Sequence, residues 1–136
     1  MAYYLCKKCG AVYEKETKFC GDILCRGTCF EIDENMIVPI MHLLNKGYKT
    51  LYCCSGHISS DSCGGYIAFA LGKEPNTAPK GWTIDNDKRC IRYLFPYNKQ
   101  GEANAKEKYK TILQKMTALN KWCEELPYLK EEKDEQ

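Results

Sequence analysis

"CKKCGAVYEKETKFCGDILC", residues 6–25, holds four cysteines in two pairs and decides what the N-terminal part of the chain can become. In the first pair, a two-residue spacer lets the thiolates of Cys6 and Cys9 reach one ion, and Gly10 permits the tight turn that follows. Structural zinc takes four such ligands in a tetrahedron. The stretch therefore predicts a zinc site with Cys6 and Cys9 as its first two ligands.

The second half of this zinc site has to come from three cysteines, Cys20, Cys25 and Cys29. The segment "TCFEI", residues 28–32, is typical of a β-strand, which would make Cys29 a strand residue and not a member of a turn. We therefore favour Cys20 and Cys25 as the remaining ligands. Cys29 stays as the alternative fourth ligand.

This N-terminal quarter of the chain resembles the rubredoxin-like zinc ribbons. The resemblance is carried by the turn Cys6-Lys7-Lys8-Cys9-Gly10 and by the pair Cys20 and Cys25, in which four residues, and not two, separate the cysteines. It implies a small β-module fixed by one structural Zn²⁺ ion. We assign residues 1–32 to this predicted ribbon.

Length, composition and charge limit the folds and functions that the whole chain can have. A chain of 136 residues is long enough for one compact core and one small additional module. Ten cysteines without a secretory leader favour metal ligation or thiol chemistry over disulfides, so we expect a soluble, cytoplasmic protein with no membrane association. A formal net charge of +2 permits nucleic-acid binding but does not demand it.

An α+β domain is predicted for residues 33–126, with a small antiparallel or mixed sheet and two helices. The apolar spacing in "DENMIVPIMHLLNKG", residues 33–47, predicts a helix with Pro39 in its first turn and His42 on its surface. Three segments, 48–54, 64–71 and 90–97, read as strands, and "GWTID", residues 81–85, adds a short extended piece whose Trp82 is expected in the core.

The second helix is predicted over residues 102–126, where apolar residues recur every three or four positions, Tyr109 and Met116 among them. We expect this stripe to cover one face of the sheet in a monomer; the alternative is a coiled-coil seam in a homodimer. Pro127 should end the helix. Residues 127–136 are then predicted to form a charged, flexible tail.

"LYCCSGHIS", residues 51–59, places a cysteine pair, a small-residue turn and a histidine at the end of a predicted strand. Chemistry often lies at such strand ends. One hypothesis is a structural or ligand-contacting turn made by Cys54, Ser55, Gly56 and His57. Because neighbouring strand residues point to opposite faces, Cys53 and Cys54 could share an ion only if the strand were broken.

Two further hypotheses give this turn a chemical role. The C-x-x-H spacing of Cys54 and His57 allows a second zinc site, with Cys63, Cys53 or Cys90 as a further ligand. Alternatively, Cys54 is a catalytic nucleophile whose pKa is lowered by His57 and by backbone amides, with Asp61 orienting the histidine. The sequence leaves these alternatives open.

The turn Cys54-Ser55-Gly56 also looks like that of the wybutosine-synthesis tRNA methyltransferase family, in which a strand runs into a Cys-Ser-Gly-Arg turn that lines the cofactor and tRNA cleft. The similarity covers about twenty residues, and His57 stands at the position of the arginine. It implies a site that contacts RNA or its modifying cofactor. The same turn is similar to that of small zinc-ribbon proteins of bacteria and their phages, from which no activity follows.

These features favour a non-enzymatic zinc-binding protein that receives nucleic acid or a protein partner on the sheet face near Cys54 to His57. The alternative hypothesis is an enzyme or small-molecule-binding protein that uses the turn itself as its site and acts on RNA.

Overall fold

Two antiparallel sheets and two helices make up the protein in a computed structural model that describes residues 3–56, 64–85, 89–95 and 105–129. The predicted α+β class is confirmed. The strands are β1 (Tyr3–Cys6), β2 (Val12–Tyr13), β3 (Cys29–Ile32), β4 (Thr50–Cys54), β5 (Gly64–Phe69), β6 (Thr83–Ile84) and β7 (Cys90–Leu94). The helices are α1 (Ile37–Asn45), preceded by a 3₁₀ turn at Glu34–Met36, and α2 (Ala105–Glu125).

The N-terminal sheet has the order β2-β1-β3 with antiparallel pairing throughout. Cys6, the last residue of β1, lies opposite Cys29, the first residue of β3. This sheet is not an isolated module, because Leu5 and Ile32 are buried in the same hydrophobic cluster as residues of both helices. The arrangement fits the predicted zinc ribbon, with a β-hairpin and a closing strand around the cysteines.

The second sheet has the order β4-β5-β7-β6, and all of its pairings are antiparallel. On its core face, Cys53, Ile67 and Ile91 stand in one row across three strands. A register shift in β4 between Thr50 and Tyr52 changes the alternation, so that Thr50 is buried while Tyr52 is exposed on the opposite side. We call this opposite side the outer face.

Both helices contribute to the core that covers the inner side of this second sheet. In α1, Pro39 lies in the first turn, as predicted, and is buried with Ile40 and Leu43. Trp82 is buried beside the ring of Tyr93, and its indole N–H donates to a carbonyl of α2 at 3.2 Å. The prediction that Trp82 belongs to the core is therefore confirmed.

Helix α2 packs with its middle and C-terminal part, which bury Met116, Leu119 and Cys123. The predicted stripe is wrong at Tyr109, which is 56% exposed, while the neighbouring Lys108 is buried with its ammonium over the ring of Phe95. The apolar pattern of α2 is compatible with two orientations of the helix about its own axis. Packing selects the one that turns Tyr109 away from the core.

The chain after α2 is fixed against the end of α1. The Lys46 ammonium donates to three carbonyls at the C-terminal end of α2, which places a cation where the helix dipole is negative. Leu129 donates its N–H to the Lys46 carbonyl, and the Tyr48 hydroxyl donates to the Pro127 carbonyl. Residues 127–129 of the predicted flexible tail are therefore held in place, whereas 130–136 lie outside the described residues.

Candidate metal centre and the neighbouring turn

Four thiols meet between the two turns of the N-terminal sheet. The sulfur atoms of Cys6, Cys9, Cys20 and Cys25 all lie within 4.8 Å of one another, which is a group that could hold one metal ion. The Cys6–Cys25 sulfur separation is 3.7 Å and the Cys9–Cys20 separation is 3.6 Å. An ion at the centre of a tetrahedron with bonds of about 2.3 Å to sulfur requires separations of about 3.8 Å. The donor set and its spacing therefore fit a tetrahedral tetrathiolate centre.

Backbone geometry explains how the first pair reaches this arrangement. After β1 the chain turns so that the N–H groups of Lys8 and Cys9 both point at the Cys6 sulfur, at 3.4 and 3.5 Å. Gly10 follows with a φ of 82°, a conformation that favours glycine, and its N–H closes the turn on the Cys6 carbonyl. The C-x-x-C-G pattern thus folds locally into a sulfur-binding turn.

The second pair depends on a longer turn. Asp22 accepts the N–H groups of Cys25 and Arg26 with its carbonyl, and its side chain caps the turn by accepting the N–H of Leu24 at 2.9 Å. Gly27 passes so close to the Cys6 sulfur that a Cβ there would lie 2.7 Å from it. These contacts accommodate the four-residue spacer between Cys20 and Cys25.

The thiols of the cluster differ in acidity because they compete for hydrogen bonds. Desolvation opposes ionisation of Cys6, but the N–H groups of Cys9 and Lys8 lower its pKa to about 7. For Cys9 the N–H of Ala11 favours the thiolate, yet desolvation and the three neighbouring sulfurs raise the pKa to about 12. Four thiolates this close repel one another strongly, and a divalent cation is what allows all of them to lose their protons.

Cys29 lies beside the cluster but outside it. It begins β3, as the strand pattern predicted, and does not belong to the group of four sulfurs that could share an ion. Burial raises the pKa of its thiol to about 11, with the nearby sulfurs acting in the same direction. The structure thus places Cys20 and Cys25 in the cluster, whereas the alternative ligand Cys29 lies outside it.

The Cys54-Ser55-Gly56 turn is packed into the protein on its backbone side. Ser55 is only 3% exposed, and both its N–H and its hydroxyl donate to the Asp33 carboxylate at 3.0 Å. Its carbonyl accepts the hydroxyl of Tyr93. Gly56 has a φ of 95°, and a Cβ there would overlap the Tyr93 hydroxyl and approach the Phe95 ring to 3.1 Å. This turn therefore needs a glycine for both conformation and space.

Cys53 and Cys54 point to opposite faces of the sheet, as the alternation predicted. Cys53 lies opposite Ile67 on the core face, while Cys54 lies opposite Tyr66 on the outer face. Burial raises the pKa of Cys54, only partly offset by the N–H of Gly56, and the Asp33 carboxylate raises it further. The described environment therefore favours the neutral thiol, and the nucleophile hypothesis, which depends on His57, stays a prediction.

Three residues of the sequence hypotheses, His57, Asp61 and Cys63, lie outside the described residues. The second zinc site and the orientation of His57 by Asp61 therefore stay predictions. Cys90 is on the outer face, where the guanidinium of Arg92 approaches its sulfur at 3.5 Å.

The outer face of the second sheet carries an open groove of about 450 Å³, to which strands β4, β5 and β7 contribute. Tyr52 is 57% exposed there and meets Tyr66 edge to face, with ring centroids 6.0 Å apart. Beside them the Arg92 guanidinium makes a bidentate pair with Asp85, at 2.8 and 2.6 Å. The remaining lining residues are Leu51, Ala68, Phe69, Arg89 and Cys90.

No protein-family model, curated protein or solved structure matches this chain. The resemblances to rubredoxin-like ribbons and to the Cys-Ser-Gly turn of tRNA methyltransferases therefore rest on the local motifs alone. Within the described ranges, no helix combines the length and the apolar content needed to span a bilayer.

Sequence reasoning missed two residues that position these sites. The Asp33 carboxylate makes no hydrogen bond that caps the following 3₁₀ turn, and it binds Ser55 instead. The second residue is Tyr13, whose hydroxyl lies 3.2 Å from the Cys20 sulfur. Asp33 and Ser55 are 22 positions apart in the chain, and Tyr13 and Cys20 are 7 apart. No local sequence pattern predicts either contact.

Proposed function

We propose that this protein is a zinc-stabilised binding protein whose outer sheet face receives single-stranded nucleic acid. The observation that carries the metal part is the clustering of the four thiols of the N-terminal sheet within 4.8 Å of one another, with two of the separations at 3.6 and 3.7 Å. An all-thiolate donor set suits Zn²⁺, and four protein ligands leave no open coordination position for catalysis. The ion would therefore have a structural role.

The N-terminal sheet connects this metal to the rest of the fold. Leu5 precedes the ligand Cys6 in β1 and belongs to the main hydrophobic core, and Ile32 at the end of β3 belongs to it as well. Loss of the ion would release β1 and β3 from their fixed ends. The metal thus supports the core from one side, as expected for a small domain with limited apolar surface of its own.

Stacking chemistry supports the outer face as the binding surface. Bases of single-stranded nucleic acid stack on exposed aromatic rings, and every base offers a face for this interaction. Tyr52 presents an exposed ring in the groove, and the half-buried ring of Tyr66 stands beside it at 75°. An open sheet surface with an exposed aromatic ring suits unpaired bases better than a duplex.

Charge on this face is modest, which limits the predicted strength of binding. Arg92 is held by Asp85, with its side chain 45% exposed, so its planar guanidinium stays accessible to a base or phosphate while its charge is balanced. A chain with a formal net charge of +2 gives little long-range attraction for a polyanion. We therefore expect weak binding with a shallow dependence on salt.

Fluorescence anisotropy with labelled single-stranded RNA and DNA tests this function. Tyr52→Ala should weaken binding about 5- to 150-fold, since stacking contributes about 1–3 kcal/mol per base. The matched control is Tyr109→Ala, an equally exposed tyrosine on α2, which should leave affinity unchanged. If the unmodified protein binds no oligonucleotide at low salt, or if both variants weaken it equally, the nucleic-acid proposal is wrong.

A further inference from the structure

Tyr13 touches the metal centre through its hydroxyl group. The Tyr13 oxygen lies 3.2 Å from the Cys20 sulfur and 2.9 Å from the backbone nitrogen of Gly21. A Cβ at Gly21 would lie 3.4 Å from this same oxygen, so the second cysteine turn closes directly over the phenol.

The direction of the contact follows from the second hydrogen bond. The Gly21 N–H can only donate, so it occupies a lone pair of the Tyr13 oxygen. The hydroxyl hydrogen is then free to point at Cys20, and a metal-bound thiolate has no proton of its own to give. In the metal-loaded site Tyr13 must therefore be the donor and the Cys20 sulfur the acceptor.

This contact differs from the others that the cluster makes. Outside the four cysteines, the Cys6 sulfur accepts the backbone N–H groups of Lys8 and Cys9, at 3.4 and 3.5 Å, which any residue but proline would supply. Among the described residues, Tyr13 alone brings a side-chain oxygen to a sulfur of the cluster. It does so from β2, where it lies opposite Tyr4, so the position of its ring is set by the sheet and not by the cysteine turns.

We propose that Tyr13 is a positioning residue for the metal centre: its hydroxyl stabilises the Cys20 thiolate and fixes the second cysteine turn in its ligating geometry. The inference rests on the proposed zinc site. It adds to that site a residue that the spacing of the cysteines does not identify. Four thiolates around one divalent ion leave a net charge of −2 on the centre, which donors to sulfur help to disperse. The four-residue spacer between Cys20 and Cys25 makes such an anchor useful, because this turn is longer than a C-x-x-C turn.

Tyr13→Phe tests the proposal, because it removes the hydroxyl and keeps the ring. Zinc affinity, measured by competition with a chromophoric chelator, should fall about 10- to 100-fold, as is typical when a partner of a metal ligand is lost. In the Co²⁺-substituted protein the sulfur-to-cobalt charge-transfer band should move to longer wavelength, because Cys20 loses a hydrogen bond and its electrons are held less tightly. A purely structural role of the ring would not move this band.

Tyr4→Phe is the matched control, since Tyr4 lies opposite Tyr13 in register and its hydroxyl does not contact a sulfur of the cluster. This variant should keep both the zinc affinity and the band of the unmodified protein. If the unmodified protein binds one zinc ion and Tyr13→Phe matches it in affinity and spectrum, the Tyr13 proposal is overturned while the zinc site stands. If the unmodified protein binds no zinc, the proposed metal site itself fails.

A measurement on the unmodified protein covers the case in which Tyr13→Phe does not fold. In ¹¹³Cd-loaded protein, the Tyr13 hydroxyl proton should exchange slowly with water and show a coupling to cadmium through the hydrogen bond. A Tyr13 hydroxyl that exchanges as fast as that of Tyr4 and shows no coupling contradicts the proposal.

Discussion

The Asp33 carboxylate accepts two hydrogen bonds from Ser55, one from its backbone N–H and one from its hydroxyl, both at 3.0 Å. Asp33 follows the last strand of the N-terminal sheet, and Ser55 follows the first strand of the second sheet. The pair therefore ties the two sheets together directly. It also fixes the backbone of the Cys-Ser-Gly turn, whose serine is almost fully buried.

Removing this carboxylate should destabilise the fold. In Asp33→Ala the N–H of Ser55 loses its acceptor and the hydroxyl keeps only the Gly56 carbonyl, at 3.4 Å, so we expect the free energy of unfolding to fall by about 1–3 kcal/mol. Urea denaturation of zinc-loaded protein measures the change. The neighbouring Glu34→Ala, at an exposed position in the 3₁₀ turn, serves as the control and should stay within about 0.5 kcal/mol of the parent. Equal stability of both variants would show that the tie is unimportant.

Helix α2 supplies a second stability test. Met116 is buried, so Met116→Asp places a charge in the core and should cost about 3–5 kcal/mol. Gln114→Asp, two positions earlier on the exposed side, should change little. Thermal melting and sedimentation of both variants are the measurements. A Met116→Asp chain that is well folded and monomeric, derived from a dimeric parent, would mean that the residue belongs to a coiled-coil seam and not to the core.

Alkaline pH should weaken the protein through its buried thiols. Burial raises the pKa of Cys123 from 9.0 to about 12. Between these values the unfolded chain has lost the thiol proton and the folded chain keeps it, so stability falls as pH rises, by about 1.4 kcal/mol per pH unit for this residue. Cys123→Ala should make the decline between pH 9 and 12 shallower. Leu119→Val removes packing without a titrating group, and its slope should match that of the parent; an equally steep slope in Cys123→Ala would contradict the assignment.

The spacing of residues along the sequence predicted many of the turns, strands and helices, because each of these depends on the conformation of a few neighbouring residues. The C-x-x-C-G turn, the strand that sets Cys29 apart from Cys25, and Pro39 in the first turn of α1 all follow from constraints within a few residues. The short edge strand β6 of the second sheet was also predicted, as the extended piece around Trp82.

What could not be predicted depends on contacts between distant segments. The Tyr93 hydroxyl reaches the carbonyl of Ser55 across 38 positions, and its ring explains why Gly56 cannot carry a side chain. The same holds for Tyr109, whose exposure depends on which side of α2 the core covers and not on the helical period of its own segment. Neither feature can be predicted from the residues that neighbour it in the sequence.

The central claim is that Cys6, Cys9, Cys20 and Cys25 hold one structural zinc ion. Metal analysis of purified protein, together with the X-ray absorption spectrum of the bound metal, tests it most directly on the parent, Cys25→Ser and Cys29→Ser. We expect one zinc per chain with four sulfur neighbours at about 2.3 Å in the parent and in Cys29→Ser, and loss of the metal with unfolding of the N-terminal sheet in Cys25→Ser. Retention of stoichiometric zinc and an unchanged melting curve in Cys25→Ser, or loss of zinc in Cys29→Ser, would contradict the account.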